Sequence, residues 1–123
     1  MKIKVLKREF TICKVTDVSQ VDFSDKYCFV GKTDEELSLI CSTKYAPEET
    51  ISRSDGWRAF RLEGTLDFSL VGILSELTEV LATNKIPMMA VSTYNTDYIL
   101  VKKENLEKAL LLLEDEDYKI IRP

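Results

Sequence analysis

From Trp57 to Glu63 the chain alternates strictly, with Arg58, Phe60 and Leu62 on one side and Trp57, Ala59, Arg61 and Glu63 on the other. A period of two predicts a strand, because successive side chains of an extended backbone point to opposite faces. Gly64-Thr65-Leu66-Asp67 breaks the alternation and the period changes. Leu70, Ile73, Leu74, Leu77, Val80 and Leu81 then recur every third or fourth position, which predicts a helix from Phe68 to Thr83 with Glu76 and Glu79 outside its apolar stripe. Asp67 stands where an N-cap carboxylate would accept from first-turn amides. Ile86 to Ser92 reads as extended, Tyr94-Asn95-Thr96 as a turn, and Asp97 to Val101 as a returning strand rich in residues that suit a sheet. Leu106, Ala109, Leu110 and Leu113 mark a second helix, and Tyr118 to Ile121 a last strand. The acidic run Glu114 to Asp117 opposes a helix dipole, so it is expected as a connector beyond the last turn.

Strand, helix, strand, strand, helix, strand is the split β-α-β order of an α+β, ferredoxin-like (βαββαβ) sandwich, an antiparallel sheet covered on one face by two helices. Leu74, Leu77, Leu81, Leu106 and Leu110 are then expected to pack on Phe60, Met88 and Leu100. The first half repeats the plan in blurred form. Phe10–Val15 and Tyr27–Val30 look like strands, Leu37–Cys41 alternates, and the polar Lys32–Glu36 joins the last two as a hairpin. Val18–Val21 suggests a short helix, and Pro47-Glu48-Glu49 a first helical turn. No linker separates residues 1–55 from 56–123, and halves this small are expected to share one body.

Composition narrows the function. Of 123 residues, 45% are apolar and 31% charged, a globular balance that leaves no room for a long disordered tail. Seventeen basic and 21 acidic residues give 17 − 21 = −4, the wrong sign for a phosphate-backbone partner, so nucleic acid is not expected. The start, MKIKVLKREF, is interrupted by charge too often for a secretion signal. The apolar run Ala109–Leu113 is too short to span a bilayer, so no membrane partner is expected and the expected compartment is the cytoplasm. Cys13, Cys28 and Cys41 are odd in number, sit among apolar strand positions and read as reduced core thiols. Their spacing matches no zinc pattern, and without histidine no Cys/His metal site can form. No nucleophile-base pair stands out, so neither an enzyme nor a cofactor is expected.

A strand that turns at Gly64 into a helix aims backbone N–H groups at whatever lies above the helix start, a geometry that attracts carboxylates. Gly72, read as one turn inside the helix, costs about 1 kcal/mol relative to Ala there, which implies that something packs against its backbone, whether sheet, neighbouring subunit or ligand. Asp97, beside Ser92, Thr93 and Asn95, reads two ways: it draws a cationic group, or it satisfies turn amides.

Gly64, Phe68, Gly72, Ile73, Leu74, Leu77, Leu81, Ile86 and the block Ser92-Thr93-Tyr94-Asn95-Thr96-Asp97-Tyr98 together resemble the ACT domain family. The likeness is to small bacterial proteins with tandem ACT-like repeats, and more distantly to aspartate kinase regulatory domains and eukaryotic cytosolic arginine sensors. It is close over Gly56–Leu112 and holds in outline before that. The resemblance implies a tandem pair of ACT-like halves, a degenerate one at 1–55 and an ACT domain at 56–123. It also implies a regulatory module that binds a small molecule, an amino acid, without catalysis. The ligand would lie at an interface between ACT units, its main-chain groups received by the loop before the helix, so the implied ligand-binding residues are Leu66, Asp67, Phe68, Gly72 and Asp97. Many ACT domains carry Asp-x-Pro-Gly in this loop, whereas this chain has Thr65-Leu66-Asp67-Phe68, which leaves the amino acid's identity open. The alternative is a protein-protein interaction module of the same fold that has lost its ligand, marked by an apolar lip around Leu66 and Tyr94. Expected partners are a free amino acid, a second copy in a homodimer joined through sheet edges, and an unidentified protein that receives the signal.

Overall fold

The computed structural model describes residues 1–63 and 71–123. Two long strands organise them: β1 (Lys2–Lys14) and β4 (Ser52–Leu62). Each runs from one compact unit into another, because the units are Met1–Lys7 with Arg58–Pro123, and Arg8–Trp57. The division expected from the sequence, 1–55 and 56–123, keeps the first strand out of the second half. In the structure Met1–Lys7 belongs to the larger unit, where Ile3, Val5 and Leu6 are buried.

In the larger unit, β4 is followed by α1 (Ile73–Thr83), β5 (Met88–Ser92), β6 (Asp97–Lys102), α2 (Leu106–Asp115) and β7 (Lys119–Ile121). The strand order is β5-β6-β4-β1, with β7 pairing β1 in parallel so that Ile3 faces Ile120. This is the ferredoxin-like order with one strand added, since such a sheet sets its last strand beside its first and here β1 lies between them. The Glu63 amide donates to the Lys2 carbonyl at 2.9 Å and ties the inserted strand to the end of β4. Period two makes Phe60 and Leu62, Ile99 and Val101, and Ile3 and Val5 face one side, and there they meet Leu77, Leu81, Leu106, Ala109, Leu110 and Leu113 of the helices. Leu77, Leu81, Leu106 and Leu110 are buried as expected, and Leu74 is half-buried against the same core. Leu100, expected in this core, points the other way, because alternation gives that face to its neighbours Ile99 and Val101.

The smaller unit holds the rest of β1, β2 (Cys28–Lys32), β3 (Leu37–Ser42) and the start of β4 in the order β2-β3-β1-β4. That is again a ferredoxin-like order, with the helices reduced to 3-10 turns at Val18–Gln20 and Thr43–Tyr45. Asp17 closes the first turn with a capping box: its carboxylate accepts from the Ser19 amide at 2.7 Å, and the Gln20 side chain accepts from the Asp17 amide at 3.1 Å. Pro47-Glu48-Glu49 forms no helix. Its carbonyls are taken by side chains instead, Arg53 on Pro47 at 3.3 Å and Gln20 on Glu49 at 2.8 Å, and β4 follows too soon for a helix to propagate. Asp25 anchors this unit. Its buried carboxylate accepts from the Ser42 amide and hydroxyl at 2.7 Å each, from the Tyr27 amide at 3.1 Å and from Arg8 at 3.2 Å.

The two units repeat one plan. The offset is 88 − 28 = 60 from β2 to β5, 97 − 37 = 60 from β3 to β6, and 103 − 43 = 60 between the 3-10 turns that follow. Both hairpins close alike, the Thr33 amide on the Glu36 carbonyl at 2.9 Å and the Thr93 amide on the Thr96 carbonyl at 2.8 Å. The acidic run is divided between helix and connector, with α2 holding Glu114 and Asp115 in its last turn and Asp117 adopting a positive φ of 70°. No described helix is long and apolar enough to cross a membrane.

Candidate functional site

Of the five ligand-binding residues expected from the sequence, Leu66, Asp67 and Phe68 lie outside the described residues. Gly72 is not inside a helix. It is the N-cap of α1, in the left-handed region at φ +80°, and its carbonyl accepts the first helical bond from the Glu76 amide at 2.9 Å. A Cβ built there meets nothing within 4 Å among the described residues, and the left-handed backbone calls for glycine at this position. Gly72→Ala is accordingly expected to cost about 1–2 kcal/mol in thermal or urea unfolding, the strain of a left-handed alanine, without a steric penalty. Because Gly72 offers no side-chain cap, the N–H groups of Ile73, Leu74 and Ser75 have no acceptor within the helix.

Asp97 opens β6 opposite Ser92, whose hydroxyl donates to its carboxylate at 2.5 Å. Alternation puts Asp97 on the face of Ile99 and Val101, the one covered by the helices. The turn before it is pinned by the Thr96 hydroxyl, which donates to the Leu62 carbonyl at 2.8 Å, so this hairpin tip lies at the end of β4 from which the chain leaves for α1. Topology therefore brings Asp97 and the start of α1 to one end and one face of the larger unit's sheet. On the opposite face at that end, Arg61 donates to the Tyr98 hydroxyl at 3.2 Å and pairs with Glu63 at 3.5 Å. Burial works against the Arg61 charge, but Tyr98 and Glu63 outweigh it and hold the guanidinium above its ordinary value. In the smaller unit the position 60 residues before Asp97 is Leu37, so the carboxylate occurs in one repeat only.

Sequence reasoning missed a cleft of about 620 Å³ between the outer side of α1 and the α2–β7 turn. Glu76, Glu79, Glu116 and Asp117 line it with Tyr118, whose phenol is pushed up by burial and then by Glu76 and Glu116. The signal was available: Glu76 and Glu79 fall off the apolar stripe of α1, and the acidic run follows α2. Of the expected ligand-binding residues that the structure describes, neither Gly72 nor Asp97 lines this cleft. Among the described residues no group of three His, Cys, Asp or Glu side chains is placed to hold a metal ion.

The chain belongs to the ACT domain family, whose profile matches residues 52–115, just over half of its length. A comparison with curated proteins returns no match. Among solved structures, the chain is similar to a crystallised protein of Agobacterium tumefaciens at 27% identity and a TM-score of 0.89, over 99% of this chain and 92% of the other. It is also similar in fold to a Vibrio cholerae protein described as a possible transport protein, at 20% identity and a TM-score of 0.75, over 91% and 86% of the two chains. The regulatory subunit of aspartate kinase from Thermus thermophilus shares the fold at 10% identity and a TM-score of 0.65, over 94% and 96%.

Proposed function

We propose that this chain is a non-catalytic regulatory module of the cytoplasm that binds a free amino acid and relays its presence to a protein partner. What supports the reading is that topology brings Asp97 and the start of α1, where Gly72 supplies no side-chain cap, to one end and one face of a sheet. The first-turn N–H groups suit a carboxylate, and Asp97 suits an ammonium or a cationic side chain. Leu66, Asp67, Phe68 and Gly72 complete the seat in this reading, which takes 1–55 as a degenerate ACT-like repeat and 56–123 as the ACT repeat whose unit Met1–Lys7 joins. The fold shared with an aspartate kinase regulatory subunit supports a regulatory role. A homodimer is part of the reading, because β5 is an edge strand with no charged residue from Ile86 to Thr96 to discourage pairing with a second copy.

Asp97→Ala is the test of the seat. A charge-assisted contact contributes about 1.5–3 kcal/mol, so calorimetric affinity for the amino acid should fall roughly tenfold to a hundredfold. Asp97 is only half-buried, so the empty variant should melt within a few degrees of the parent. Unfolding of the empty variant would make Asp97 a structural turn residue. A second reading, an interaction module without a ligand, is favoured by one observation: Val71, just before α1, is 90% exposed and Tyr94, in the hairpin tip, is 79% exposed. That reading gains if no amino acid produces heat with the parent protein.

A further inference from the structure

The three cysteines of the smaller unit are free thiols on one face of its sheet, packed in one satellite core with Val15, Val21 and Leu39. Their registers differ in a way that matters. Cys28 of β2 is the direct partner of Cys41 of β3, whereas Cys13 of β1 faces Leu39, and Cys41 faces Thr11. The Thr33 amide bonds the Glu36 carbonyl, so 33 and 36 form a hydrogen-bonded pair, and alternation along the ladder makes 28 and 41 a non-hydrogen-bonded pair. In such pairs the Cα atoms lie about 4.5 Å apart with side chains turned toward each other. A disulfide needs roughly 4.4–6.8 Å. Cys13 is diagonal to Cys41, at about 7–8 Å by strand geometry, and lies two strands from Cys28, so register selects one pairing of the three.

We propose that Cys28 and Cys41 are a modification site, a cross-strand dithiol that a peroxide converts reversibly to a disulfide, stapling the edge strand β2 to β3. Cys28 is half-buried and Cys41 is fully buried, so the peroxide meets Cys28 first. Its sulfur attacks one peroxide oxygen and keeps it as the sulfenic acid, the O–O bond breaks, and the other oxygen leaves as water with the proton of the thiol. The resulting sulfenic acid is then attacked by the Cys41 sulfur, an S–S bond forms, and the sulfenic oxygen departs with the Cys41 proton as a second water. Two thiols lose two electrons and two protons, and one hydrogen peroxide is reduced to two waters. Burial pushes both thiols up, Cys41 to about 12, so both are slow toward peroxide, and the more exposed Cys28 is the one it reaches first.

The experiment treats the folded protein with hydrogen peroxide, blocks remaining thiols, and reads intact mass and a peptide map without reduction. The parent and Cys13→Ala should each lose the mass of two hydrogens and yield a Cys28–Cys41 linked peptide, reversed by dithiothreitol, with a melting midpoint several degrees above the reduced form. Cys28→Ser, a half-buried change that circular dichroism should show to be folded, should yield no intramolecular link. A Cys13–Cys41 link, oxygen adducts without a link, thiols unmodified in the folded protein, or a midpoint that does not rise would overturn the proposal.

Discussion

Asp25→Ala is expected to destabilise the protein by about 3–5 kcal/mol, measured as a shift of the urea midpoint at constant slope. The Asp25 side chain is fully buried and accepts four hydrogen bonds, two from Ser42 and one each from Tyr27 and Arg8. Alanine removes the acceptor oxygens of all four bonds at once. Arg8 retains some access to water, with its side chain 32% exposed, and it also reaches the Ser42 hydroxyl at 3.1 Å, so its share of the loss is the smaller one. The Ser42 and Tyr27 amides lose charge-assisted bonds, and the buried Ser42 amide has no water at hand to replace its acceptor. Asp25→Asn fills the same space but turns an NH₂ toward donors, so it should recover only part of the loss. High salt should change the parent little, because buried pairs are weakly screened.

Phe60→Ala is expected to cost about 3–5 kcal/mol by the same measurement, through lost burial and the cavity left behind. Phe60 is 0% exposed at the centre of the larger unit's core, between sheet neighbours and the Leu77, Leu81 and Leu110 stripe. The contrast is Val71→Ala, at a residue 90% exposed, which should stay within about 0.5 kcal/mol of the parent.

What the sequence made legible followed from clean periods. The α1 and α2 stripes and the Phe60 alternation have one face each, and the structure buries those faces together. The sequence shows the end of the first strand, Phe10–Val15, but not its start, because Lys2, Lys4, Lys7, Arg8 and Glu9 interrupt the apolar positions there; only in the fold do Ile3 and Val5 join the helix-facing core. Gly72 was placed one turn inside a helix because the apolar spacing continues through it from Leu70, and spacing carries no information about φ. The acidic cleft was legible only in its parts. Glu76 and Glu79 on one helix and Glu116 and Asp117 after the other converge only through packing. Asp97 was singled out correctly as a strand-opening carboxylate, but its bond to Ser92 depends on the β5–β6 register, which a sequence does not state.

The repeat sharpens the functional argument. Both hairpins keep the same lengths and the same threonine at the first turn position, yet Asp97 replaces Leu37 and Ser92 replaces Lys32. These hairpin differences, together with the smaller unit's helices reduced to 3-10 turns, are what the proposed single ligand seat per chain would require.

The most direct measurement is a thermal-shift screen of the intact protein against the free amino acids at millimolar concentration. A ligand present at about 100 times its dissociation constant adds roughly 2.7 kcal/mol, enough to raise the midpoint of a chain this size by several degrees. The account predicts such a rise for one amino acid or one side-chain class and a much smaller one for Asp97→Ala. A midpoint that no amino acid moves would contradict it.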